Sequence, residues 1–366
     1  MSYKSYFLSR LKRLDWSVLF TTFLIMLIGA LSLYSAADGD FYQWSMPHIY
    51  RYGIGLCAAI TIAVIPWHIW RSFSYFFYLG GIILLVMVDV FGHIGMGAQR
   101  WLNLGGFHVQ PSELIKIALV MAMARFYSTI YTFHTVTRLI ISHFFILLPM
   151  VLVLRQPDLG TAIILLVVGL AILFTAGEPY QYFIGGGVGV LAAGPILWNL
   201  LHDYQKKRIF TFLSPESDPS GSGYHIIQSK IAMGSGGFWG QGFMQGSQNH
   251  LKFLPEKQTD FIFSMIAEEW GFVGSLFVIL LYSALFYQIY KIIRRQEKDY
   301  ATFLCLGLLV TMAIYMLVNI GMVSGLLPVV GVPLPLLSSG GTSTLTMMMM
   351  VGLILSADLS KKARFC

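Results

Sequence analysis

Charge is scarce in this sequence. Asp, Glu, Lys and Arg make up 11% of its 366 residues, less than half the roughly 25% usual for a soluble domain. Hydrophobic residues reach 56% and the mean hydropathy is +0.70. A soluble globule of this size could not cover so much apolar surface, which excludes cytosolic globular, disordered and collagen-like classes. Cysteine is nearly absent too. Cys57 and Cys305 lie in apolar runs and Cys366 is the last residue, so there is no even, loop-placed set for a disulfide framework. Cys366 also lacks the position of a prenylation box. None of the nine histidines has metal-ligand spacing. The net charge of +7 could suggest nucleic acid, but basic residues that orient membrane helices account for it better. What remains is an all-α, polytopic integral membrane protein forming a single domain over 1–366.

A bilayer core of about 30 Å takes about 20 helical residues. Apolar runs of that kind lie near 17–37, 49–66, 74–92, 112–127, 138–155, 158–177, 181–201, 262–290, 301–322 and 341–357, which predicts about ten spans. The first is too long for a signal-peptide core and is expected to be retained. Arg155-Gln-Pro-Asp158 predicts a tight turn, with Asp158 suited to the start of the following helix. With the N-terminus in the cytoplasm, most Lys and Arg of the short loops fall on the cytoplasmic side. The opposite short loops hold only Arg51, Arg100 and Arg155. The positive-inside rule then places both termini in the cytoplasm.

Residues 202–261 form one large loop between spans 7 and 8, on the outer side, and a loop of that length is usually functional or disordered. Within it, Tyr224–Met233 has apolar residues at helical spacing, predicting an amphipathic helix on the membrane surface. The following Gly234–Gly242 run, rich in glycine and aromatics, has no phosphate-loop spacing. It fits either a backbone approaching a sugar or lipid headgroup, or a plain surface loop.

Ionisable groups at membrane depth are costly, about 2.5–3.5 kcal/mol each on insertion scales, and usually face a cavity or a partner. Glu113 and Lys116 lie at i,i+3 on the short fourth span, where a helix-stabilising ion pair is the competing reading. Asp158 opens the sixth span, where helix capping competes. Asp260 stands where the long loop enters the eighth span, followed by Phe261-Ile-Phe263. Its carboxylate is expected at the membrane–water interface, with a raised pKa suited to a base. Glu268 and Glu269 lie two to three turns deeper. A ligand here would be amphipathic, and Lys116, Arg100, Lys252 or Lys257 would suit phosphate oxygens. A transferase for lipid-linked sugars, a flippase for such lipids and a scaffold for membrane partners all remain open on these grounds.

Several blocks in order resemble the SEDS family (shape, elongation, division and sporulation), of the RodA type. They are Gln99-Arg-Trp-Leu102 with Gln110-Pro-Ser-Glu113, Gln156-Pro-Asp-Leu-Gly-Thr161, Gly223-Tyr-His-Ile-Ile-Gln-Ser229 with Gly234-Ser-Gly-Gly237, Phe253-Leu-Pro-Glu256 with Thr259-Asp-Phe-Ile-Phe263, and Gly331-Val-Pro-Leu-Pro-Leu336 with Gly340-Gly-Thr-Ser343. Ser339 stands where the family often has tyrosine.

The resemblance implies a peptidoglycan glycosyltransferase that polymerises lipid II at the outer face of the bacterial cytoplasmic (inner) membrane during elongation. It places the catalytic base at Asp260. It implies a cavity holding Glu113, Lys116, Asp158, Arg100, Gln110, Gln156, Lys252, Glu256, Thr259, Ser339 and Gly340, with Lys116 as a charge partner of Asp260 or a phosphate. Mg²⁺ or Mn²⁺ on the diphosphate is implied without a readable ligand set. The implied partners are lipid II and the growing glycan, a class B penicillin-binding protein and other elongation-complex membrane proteins, and no nucleic acid. Lipid II flipping and a non-catalytic role with the transpeptidase stand as alternatives.

Overall fold

A computed structural model describes residues 10–95, 98–104, 107–129, 134–200, 203–218, 221–250 and 256–362. Helices occupy each of the ten apolar runs. In chain order they are α1 (Trp16–Ala36), α2 (Met46–Val64), α3 (Trp67–Phe91), α4 (Pro111–Thr129), α5 (Thr135–Arg155) and α6 (Leu159–Thr175). The seventh run divides into α7 (Tyr180–Ala192) and α8 (Gly194–Leu200). The long loop carries α9 (Asp203–Leu213), α10 (Ser222–Ser235) and the single turn α11 (Ser247–His250). The chain then continues through α12 (Ile262–Arg295), α13 (Asp299–Val323) and α14 (Gly341–Lys362). Six of these, α1, α3, α5, α12, α13 and α14, are long and apolar enough to cross a membrane, and α6 is a shorter apolar helix. The chain is a polytopic helical membrane protein.

The helix predicted as short is the centre of the bundle. Almost all of α4 is buried, with only Leu114, Arg125, Ser128 and Thr129 partly or wholly open. It packs against α3, α13, α6, α5 and α14. Close approach comes through glycine, as is usual between membrane helices. A Cβ at Gly81 would meet Ile115 Cδ1 at 2.6 Å, and one at Gly307 would meet Val120 Cγ1 at 2.6 Å. Exposed apolar side chains such as Phe76, Leu79, Val90 and Phe144 face outward from the bundle, as lipid contact requires.

A small antiparallel sheet in the order β1 (His93–Gly95), β2 (Ala98–Leu104), β3 (Phe107–Val109) precedes α4. The apolar periodicity did not reveal it, because its strands are three to seven residues long.

The loop predictions divide. The amphipathic helix forms as α10, but its buried face meets protein: Ser229 Oγ lies 2.6 Å from Ser264 Oγ and donates to the Val323 carbonyl at 2.7 Å. The Gly234–Gly242 run docks into a break in α12. At Gly271 the backbone takes φ 65 and ψ −159, a region open to glycine and strained for other residues. The amides of Phe272 and Val273, freed from the helix, donate to the Gly237 and Phe238 carbonyls at 3.0 and 3.2 Å. The freed Glu268 carbonyl accepts from the Gln241 amide and the Glu269 carbonyl from the Gly242 amide, both at 3.0 Å. The helix interruption is thus satisfied by the loop, as buried backbone groups demand. The Glu268 and Glu269 side chains belong to this joint. Glu268 Oε1 accepts from the Gln248 amide at 2.8 Å, and Glu269 accepts from the Ser35 hydroxyl.

Candidate active site

Where the long loop re-enters the bundle, residues 256–261 form a turn stitched to the 331–339 segment. Ser338 Oγ donates to the Thr259 carbonyl at 2.6 Å and accepts from the Leu334 amide at 2.8 Å. The Ser339 amide donates to the Gln258 carbonyl at 2.9 Å. From α13, Asn319 Nδ2 donates to the Asp260 carbonyl at 2.9 Å and the Val332 carbonyl at 2.7 Å. The main chain at Asp260 is therefore fixed on two sides, while its carboxylate has no hydrogen-bond donor among the described residues. Gly331, at φ 71, passes so close that a Cβ there would stand 3.6 Å from Asp260 Oδ2.

That carboxylate opens into a polar cavity of about 300 Å³. Its walls bring together residues far apart in sequence: Arg100, Gln110, Glu113, Asp158, Glu256, Thr259, Asp260, Ser339 and Gly340 all line it, with Trp101, Thr161, Tyr315 and the 341–343 turn. Burial raises the Asp260 pKa to about 6, the Glu256 carboxylate pushes it the same way, and the Arg208 and Arg100 guanidiniums oppose. A carboxyl group with a pKa near 6 is a stronger base than a solvated one and is still ionised at neutral pH.

Arg100 is held on β2 by the Gln156 carbonyl, 3.1 Å from its Nε, and by the Pro157 carbonyl. Asp158 caps α6, accepting from the Thr161 amide at 3.1 Å and its hydroxyl at 2.9 Å. It thus fulfils the capping expectation and also lines the cavity. Glu256 Oε2 accepts from Gln258 Nε2 at 3.2 Å and Thr259 Oγ1 at 3.3 Å.

Three expectations are corrected. Lys116 does not line the cavity. It is fully buried behind Glu113, 2.7 Å from Glu113 Oε1 and 4.4 Å from the centre of the Tyr315 ring. One helical turn of α4 separates it from the cavity wall, so the ion-pair reading of Glu113 and Lys116 is the one the geometry carries. Gln156 also stands behind the wall, its Nε2 donating to the Leu85 carbonyl at 2.9 Å. Lys257 is buried and lies 6.0 Å over the Trp44 ring. Lys252 lies outside the described residues.

No group of three His, Cys, Asp or Glu among the described residues is arranged to hold a metal ion. Glu113 is committed to Lys116, Tyr315 (2.8 Å) and Thr346 (3.2 Å), and Asp158 to its cap. These residues do not fit a resident metal.

The family described as cell cycle protein, FtsW/RodA/SpoVE, matches residues 11–363. The chain belongs to this family, the SEDS proteins. It is 43% identical over 351 residues to the peptidoglycan glycosyltransferase MrdB of Escherichia coli, covering 95% of this chain and 94% of that one. It is 34% identical over 376 residues to stage V sporulation protein E of Bacillus subtilis, covering 96% and 98%. Among solved structures, a chain of a peptidoglycan synthase complex described as coordinating polymerization and crosslinking superposes with a TM-score of 0.81 at 29% identity, over 96% and 98% of the two chains. The rod shape determining protein RodA of Thermus thermophilus gives 0.71 at 26% identity, over 96% and 98%.

Within this SEDS fold, sequence reasoning missed Tyr315 and Asn319. Both sit in the apolar α13 run, one turn apart. Attention to charged groups passed over them, although a buried amide or hydroxyl in a membrane helix also needs a partner.

Proposed function

We propose that this chain is a peptidoglycan glycosyltransferase that polymerises lipid II, with Asp260 as its general base. One observation carries the reading: an ionisable carboxylate with a raised pKa opens into a polar cavity that shares walls with Arg100, Glu113 and Asp158. The relatives named peptidoglycan glycosyltransferases support the reaction class.

Asp260 takes the proton from the 4-hydroxyl of the acceptor sugar as that oxygen attacks C1 of the donor. The C1–O bond to the polyprenyl diphosphate breaks, its electron pair leaves with the phosphate oxygen, and attack from the opposite face inverts an α-linked donor to a β-1,4 bond. A positioned base contributes about 10²–10⁴-fold. The Asn319 and Ser338 bonds keep the Asp260 turn in place, so its orientation does not have to be found during the reaction. The cavity is on the outer side of the inner membrane, by the excess of Lys and Arg on the opposite side, and both termini are cytoplasmic. A transpeptidase that crosslinks the product is the expected partner, consistent with the polymerising and crosslinking complex to which this fold is similar.

Lipid II polymerisation by purified protein with its transpeptidase partner tests the reading. The Asp260→Asn variant should fold normally and lose at least about 10²-fold in rate. Glycan strands made at the normal rate by that variant would remove the catalytic assignment and leave lipid flipping or a structural role.

A further inference from the structure

Besides α12, which follows Asp260, three long helices begin at the cavity, and their first turns differ. Helix α4 carries Glu113 in its first turn. Helix α6 is capped by Asp158. Each thus has a carboxylate of its own at its positive end. Helix α14 begins at Gly341 after Gly340, and neither residue has a side chain to cap it. Among the described residues, no acceptor meets the amides of Gly341, Thr342 or Ser343, the groups that a helix start leaves unpaired.

Two further observations point to an anion at this end. Ser343 is 8% exposed and lines the cavity. Its hydroxyl has no partner among the described residues. Arg51, on the second turn of α2, stands against the same turn of α14: a Cβ at Gly341 would lie 3.8 Å from Arg51 Nε. Arg51 makes no ion pair or hydrogen bond with a described residue. A guanidinium beside the positive end of a helix is unfavourable, because like charges face each other. An anion between them reverses that sign, since helix amides, a hydroxyl and a guanidinium are together a phosphate-binding set.

We propose that the start of α14, with Ser343 on the cavity wall and Arg51 beside Gly341, seats the diphosphate of the polyprenyl diphosphate donor in the cavity that Asp260 also lines. This rests on the transferase reading and names the subsite for its leaving group. When the C1–O bond breaks, the electron pair goes to the diphosphate oxygen while the acceptor proton goes to Asp260. The new negative charge then develops against the α14 amides and Arg51, where fixed donors stabilise it.

The test is binding of radiolabelled undecaprenyl diphosphate to the full chain in phosphatidylcholine nanodiscs, with inorganic pyrophosphate and phosphatidylglycerol as competitors. Arg51→Gln should weaken binding about tenfold or more, as loss of a charged hydrogen-bonding partner does. Arg51→Lys should recover most of the affinity. Ser343→Ala, which deletes one hydroxyl at the cavity, should weaken binding by about two- to tenfold. Gly341→Asp sets a carboxylate beside Arg51 and should abolish binding by filling the site from within. Pyrophosphate should compete and phosphatidylglycerol should not. Unchanged affinity in Arg51→Gln and Gly341→Asp would overturn the subsite. Equal competition by phosphatidylglycerol would overturn its assignment to a diphosphate. Asp260→Asn separates the two readings: it should bind the probe normally and fail to polymerise. If it polymerises, the base assignment falls while the binding result stands by itself.

Discussion

Asn319 holds the main chain of Asp260: one side-chain amide group donates both to the Asp260 carbonyl at 2.9 Å and to the Val332 carbonyl at 2.7 Å. It ties the turn carrying Asp260 to the segment carrying Gly331, from a position fully buried in α13. Asn319→Asp keeps the volume but removes the donor and sets acidic oxygen against two carbonyls. The expected outcome is a loss of about tenfold or more in kcat with a smaller change in KM, because donor and acceptor sites remain while the base loses its position. Asn319→Gln should fail to restore the rate, because the amide moves by a methylene. A variant series with unchanged kcat in the polymerisation assay would show that the turn holds itself.

The pH dependence of polymerisation follows from the charges around Asp260. A base works when deprotonated, so the rate should rise with pH through about 6, the Asp260 pKa, and level off above it. Glu256 raises that pKa and Arg100 lowers it. Glu256→Gln should therefore move the acidic limb to lower pH, and Arg100→Gln should move it to higher pH. Initial rates from pH 5 to 8 for the three proteins check the signs. Arg100→Gln is also expected to slow the plateau, because the Gln156–Pro157 carbonyls lose the side chain that ties them to β2.

Scarce charge and ten apolar runs made the helical membrane fold legible, because hydropathy reports directly on the solvent a helix faces. Asp260 was legible as a carboxylate placed between a polar loop and Phe261-Ile-Phe263. Its relation to Arg100, Asp158 and Ser339 was not, since those positions lie 79 to 160 residues away in sequence and meet around one cavity only through helix packing. The break at Gly271 was hidden because α12 reads as one continuous helical run with only Glu268 and Glu269 beside the glycine, and only the docking of the Gly236–Gly242 backbone makes a left-handed residue favourable there. Lys116 was misplaced for a simpler reason. The i,i+3 spacing shows that it meets Glu113, but not which of the two faces the cavity.

The Glu113–Lys116 pair makes the last prediction. Glu113 Oε1 is bonded by Lys116 and Tyr315, Oε2 by Thr346 from α14, and the Lys116 side chain has no exposed surface. Removing one partner of such a pair leaves a buried charge uncompensated, which costs about 3–5 kcal/mol, whereas replacing both with apolar groups of similar volume is often neutral. Lys116→Ala should therefore lower the thermal transition in detergent as well as the rate, because the freed Glu113 carboxylate will draw water or a proton into the α4–α13–α14 contact. Lys116→Met combined with Glu113→Leu should recover much of the thermal stability. Its polymerisation rate is the informative quantity. Recovery of the rate along with stability would make the pair a packing element, whereas a stable double variant with little activity would show that the Glu113 carboxylate acts in the cavity it lines. The second outcome is expected, because Glu113 is the member of the pair that the cavity reaches.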